Sequence, residues 1–113
     1  MLGKFDELFK ALGHTIADDA GHIDQEWSEV KLTFLKSTNG FFSKSRATLL
    51  NSGEIIGVSE GDETTELLWQ IEDAYDSLKP EWKAFEFVLN NEGDCKIELH
   101  YDDSLYDTFV EKD

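Results

Sequence analysis

Leu2, Phe5, Leu8, Phe9, Leu12 and Ile16 recur at spacings of three and four, the period of a single apolar stripe along a helix. The spacing predicts an amphipathic helix ending near Gly21, with His14 and His22 on its polar side or at its end. The pattern then changes. Val30, Leu32 and Phe34 alternate with Lys31 and Thr33, and the run stops at Ser37-Thr38-Asn39-Gly40, residues suited to a hairpin turn. Phe41 to Leu50 reads as a second strand, Asn51-Ser52-Gly53 as another turn, and Ile55, Ile56 and Val58 as a short third strand. A three-strand meander is the simplest pairing. Asp62 is placed to cap a second helix, with Glu63 and Glu66 in the first turn, where the helix dipole favours acid. Leu67, Leu68, Ile71, Ala74 or Tyr75, and Leu78 supply its stripe, and Pro80 ends it.

After Pro80 the period becomes two. Phe85, Phe87 and Leu89 point one way before the polar loop Asn90-Asn91-Glu92-Gly93-Asp94, and Cys95, Ile97, Leu99 and Tyr101 point one way after it, which is the pattern of a β-hairpin. The element order is therefore α-β-β-β-α-β-β. It predicts a single α+β domain over residues 1–113, an antiparallel sheet with helices packed on one face and the other face solvated.

At 113 residues, with 40% hydrophobic and 12% aromatic residues, the chain has the length and apolar content for one core and is not of the disordered class. Charge changes the picture more. Ten Lys and Arg against 25 Asp and Glu give −15, a sign that repels phosphate backbones and disfavours nucleic-acid binding. The charge is also unevenly placed. From Val30 to Gly53 there is no acid, only Lys31, Lys36, Lys44 and Arg46; Glu54 to Asp76 carries eight acids and no Lys or Arg; Glu92 to Asp113 carries eight acids and two lysines. A cationic partner can use such blocks; solubility alone is the bland explanation.

Reactive chemistry finds little support. Asp102 and Asp103 are adjacent, so at an extended strand end their carboxylates point to opposite faces and do not chelate one ion without a turn. No calcium loop is present, and His14, His22 and His100 are neither paired nor spaced as zinc ligands with Cys95. His100 alternates away from Leu99 and Tyr101 and reads as a solvent-side strand residue. Cys95 falls in the inward register, where it acts as a small hydrophobe with a disfavoured thiolate, and as a lone cysteine it has no internal disulfide partner. There is no phosphate-binding glycine loop, nucleophile elbow or His-Glu-x-x-His. The expectation is no enzyme, no cofactor and no metal. Trp69, beside Leu67 and Leu68, and Trp82, opening a core strand, read as packing residues, while Trp27 is open to either role. No apolar run has the length of a secretion signal or a membrane span, so a cytoplasmic address is expected.

From Pro80 the sequence PEWKAFEFVLNNEGDCKIELHYDDSLYD resembles the C-terminal hairpin of YezG-like immunity proteins, the cytoplasmic antitoxins that accompany secreted or contact-delivered bacterial toxins. The resemblance rests on Trp82 followed by Phe85, Phe87 and Leu89, Gly93 in the turn, Lys96-Ile97 in the return strand, and Tyr101-Asp102-Asp103 at its end. It covers about a quarter of the chain, and the order of elements is similar too. It implies function by binding: occupation and blocking of a cognate toxin domain, often a nuclease, whose cationic site complements an acidic surface. The candidate partner-binding residues are Glu66, Asp73, Asp76, Glu98, Tyr101, Asp102, Asp103 and Tyr106. A general acidic adaptor domain, and a metal-dependent or hydrolytic enzyme using the acids, are the competing expectations.

Overall fold

The computed structural model describes residues 3–23, 25–37 and 40–102. Seven elements follow in the expected order: α1 (Gly3–Ala20), β1 (Trp27–Ser37), β2 (Gly40–Leu49), β3 (Ile55–Gly57), α2 (Asp62–Leu78), β4 (Ala84–Asn90) and β5 (Cys95–His100). The strands form one antiparallel sheet in the order β3-β2-β1-β4-β5. The meander and the hairpin meet through β1 and β4, where Val30 faces Leu89, Leu32 faces Phe87 and Phe34 faces Phe85. Because opposite residues share a face, these six side chains form one apolar layer, and each is at most 4% exposed.

Both helices cover that layer. From α1, Phe5, Leu8, Phe9, Leu12 and Ile16 are buried; from α2, Thr64, Leu68, Ile71 and Ala74 are. Aromatic rings tie the layers together: Phe9 meets Phe85 edge-on at 4.9 Å, Phe85 stacks on Phe34 at 4.9 Å, and Phe34 stacks on Phe41 at 5.1 Å. A second group joins Phe5, Trp82 and Tyr75, whose hydroxyl donates to the Trp82 carbonyl at 2.8 Å. Trp82 is thus a packing residue, and Trp27 packs half-buried against the core.

Several expectations are corrected. Gly61, not Asp62, is the N-cap of α2, and it has no side chain to cap with. The end of α1 supplies the cap instead: the Gly61 N–H donates to Asp19 Oδ1 at 3.1 Å and the buried Thr64 hydroxyl to Asp19 Oδ2 at 2.6 Å. A Cβ at position 61 would stand 2.7 Å from Asp19 Oδ1, so any other residue here would push the carboxylate out of its capping position. Leu78 is 48% exposed although it lies on the predicted stripe; it is the last residue of α2, and Lys79 closes the helix in the left-handed conformation, φ 47°, with its N–H on the Tyr75 carbonyl. Cys95 occupies the inward register, opposite Leu89, yet is exposed. The reason is lateral: β5 is the sheet's edge, where α1 approaches Cys95 only at Gly13 and leaves the outer side of the residue uncovered.

Candidate partner-binding surface

At roughly 100° per residue, Asp62, Glu66, Trp69, Asp73 and Asp76 fall within an arc of about 80° on the outer side of α2, opposite Thr64, Leu68 and Ile71. The four acids are exposed and the helix carries no Lys or Arg. Trp69, expected in the core, is 54% exposed. Its ring meets Phe41 in a T-shaped contact, at 4.9 Å between centroids, and the rest of the residue is open to solvent on the same face as the acids. Sequence reasoning missed it because Leu67-Leu68-Trp69 is a continuous apolar run. The available signal was angular: Trp69 lies about 100° round from Leu68, away from the stripe.

Not every acid of this segment is free for a partner. Lys36, on the helix side of β1, places its Nζ 3.3 Å from both Glu72 and Asp76, 2.7 Å from the Ser37 carbonyl and 5.7 Å from the centre of the Tyr75 ring. Burial raises the Tyr75 hydroxyl pKa, with Lys36 opposing and Asp76 reinforcing the shift. Glu60, just before α2, accepts hydrogen bonds from the Ser43 and Ser45 hydroxyls at 3.0 and 2.9 Å. Glu60, Glu72 and, in part, Asp76 therefore hold the fold together, leaving Asp62, Glu66 and Asp73 around Trp69 without an ion-pair partner among the described residues.

The hairpin candidates lie elsewhere. Glu98 is exposed on the face of the sheet away from the helices, opposite Glu86 in register, so it does not share a surface with α2. Tyr101, 59% exposed, and Asp102 follow the end of β5. Asp103 and Tyr106 lie outside the described residues.

Glu86, Glu98 and His100 form the group of three among the described residues whose potential ligand atoms lie within 4.8 Å of one another. His100 is half-buried against Glu86, with Nε2 3.3 Å from Oε1, rather than a free solvent-side residue. Lys31 approaches Glu86 Oε2 at 3.7 Å and already supplies positive charge there. A groove of about 540 Å³ runs between α1 and the hairpin, lined by Phe9, Gly13, Ala17, Phe87, Leu89 and Ile97 among others. Gly13 lets the helix lie close: a Cβ there would sit 3.3 Å from Phe87 Cζ and 3.4 Å from Cys95 Sγ. The Cys95 thiol has a raised pKa, by desolvation first and then by the Asp94 charge, so it is mostly protonated at neutral pH and a weak nucleophile.

No protein-family model matches the chain, and no curated protein matches it either. No described helix is long and apolar enough to cross a membrane.

Proposed function

We propose that this chain is an immunity protein, an antitoxin of the cytoplasm that binds a cognate bacterial toxin domain and blocks it, the toxin being a nuclease with a cationic active site. The observation that carries the reading is the outer face of α2, where Asp62, Glu66 and Asp73 surround a half-exposed Trp69 and no basic residue intervenes. Like charges crowded on one helix face repel, so the arrangement costs the isolated fold some stability and favours a partner that brings positive charge. Tryptophan is among the residues most enriched at the centre of strong contacts, where it fills a desolvated pocket of the partner. The resemblance of residues 80–107 to YezG-like immunity proteins points the same way.

The test is co-expression with the product of the neighbouring gene, followed by pull-down and a toxicity-rescue assay. The wild-type chain should bind and rescue growth. Trp69→Ala combined with Glu66→Gln and Asp73→Asn should keep the fold, seen by circular dichroism, and lose rescue. Asp76 is left intact in this variant because it also pairs with Lys36. Undiminished rescue by the triple variant would remove the α2 face from the proposal, and absence of any toxic neighbour that the chain neutralises would remove the proposal itself.

A further inference from the structure

The two edges of the sheet are unequal. One is β3, three residues long; the other is β5, six residues long, with Cys95, Lys96, Ile97 and Glu98 all exposed. A short edge is protected from further pairing, whereas a longer one offers a row of unpaired backbone groups. The Asn90 N–H donates to the Asp94 carbonyl at 3.0 Å, and β5 continues from there without a register shift. By the alternation of an antiparallel ladder, Lys96 and Glu98 turn their backbone groups toward β4, while Cys95, Ile97 and Leu99 turn theirs outward.

We propose that β5 pairs antiparallel with β5 of a second copy of this chain, about a twofold axis at Ile97, giving a continuous ten-stranded sheet. Charge selects both the occupant and the register. Only residues with outward backbone groups form the hydrogen-bonded pairs, so the central alignments are few. With Ile97 opposite Cys95 of the second copy, Lys96 faces Lys96; with Ile97 opposite Leu99, Glu98 faces Glu98. With Ile97 opposite Ile97, Lys96 of each copy faces Glu98 of the other, in the closely spaced non-hydrogen-bonded positions where side chains interact most.

The surrounding charges reinforce that alignment. On the face away from the helices, Arg46 faces Lys31, Lys31 faces Val88, and Val88 faces Lys96, so one row across the sheet is basic toward its end. The neighbouring row ends in Glu86 opposite Glu98, a like-charged pair that is unfavourable at an edge. Neither Lys96 nor Glu98 has an ion-pair partner among the described residues. The twofold axis runs the basic row of each copy into the acidic row of the other. On the helix side, Ile97 meets Ile97 and Cys95 meets Leu99, and Ile97 and Cys95 line the groove beneath α1.

The edge is separate from the outer face of α2, so this inference and the toxin-binding proposal stand or fall independently. Analytical ultracentrifugation of the full chain at physiological ionic strength, where the −15 charge of each copy is screened, should show a concentration-dependent dimer. Lys96→Glu alone and Glu98→Lys alone each create two like-charged cross-strand pairs and should weaken it by about tenfold or more; the double exchange restores opposite charges and should restore the dimer. Circular dichroism verifies folding of each variant. As an independent check of register, Ile97→Cys in a Cys95→Ser background should form a disulfide-linked dimer under mild oxidation, since hydrogen-bonded partners lie about 5.5 Å apart between Cα atoms. A wild-type chain that stays monomeric up to millimolar concentration overturns the proposal and leaves the edge to a strand of another protein. Single variants that dimerise as well as wild type, or a double variant that does not recover, overturn the register.

Discussion

Phe87 and Cys95 show how much one strand position can decide. Phe87 is 1% exposed at the centre of β4, between Leu32 and Ile97 in register. Phe87→Ala should cost about 3–5 kcal/mol, measured as a fall in urea-unfolding free energy; a loss below about 1 kcal/mol would contradict the packing. Cys95 has the same inward parity one strand further out and is nevertheless exposed. Alternation in a sequence reports which face a side chain takes, but it carries no information on how far a helix extends over that face. Trp69 is a related case, since apolar composition marks it for burial and only its angle on α2 marks it for solvent. For Cys95 the raised thiol pKa has a kinetic consequence. Alkylation by iodoacetamide should be slower at pH 7 than for a cysteine in a short peptide, and should keep rising with pH beyond the range where the peptide thiol has levelled off. Equal rates across that range would show an ordinary thiol.

Elements were easier to infer than the side chains that fasten them. The change from a period of three or four to a period of two, with Asn-Gly and Pro80 between runs, marks the helices and strands because each residue's propensity depends on near neighbours. The fastening groups are remote in sequence. Asp19 caps α2 across separations of 42 and 45 residues, and Glu60 reaches 15 and 17 residues back to Ser45 and Ser43. No local pattern distinguishes these two acids from those facing solvent. Asp19→Ala removes the cap and strips the fully buried Thr64 hydroxyl of its acceptor, so it should destabilise the fold by about 2 kcal/mol. Thermal melts are a sufficient measure, with Asp18→Ala, one exposed position away, as the control. Equal losses from the two substitutions would mean that the distal cap contributes nothing particular.

For the molecule as a whole, the charge of −15 acts against compactness as well as serving solubility. Raising salt from low to physiological concentration shortens the reach of charge to about 8 Å. The unfolding midpoint should rise over that interval, because repulsion spread over the surface is screened while the Lys36 cluster, with a lysine side chain only 10% exposed, is screened less. A midpoint that falls with salt would give the surface ion pairs the larger share. The packing of α1 also sets a timetable for synthesis. Phe5 rests on Trp82 and Phe9 on Phe85, residues translated long after the helix itself has left the ribosome. Until β4 emerges, the apolar stripe of α1 lacks Trp82 and Phe85, so a helix made before the sheet is fully covered only once β4 is in place, and it is open to wrong contacts until then.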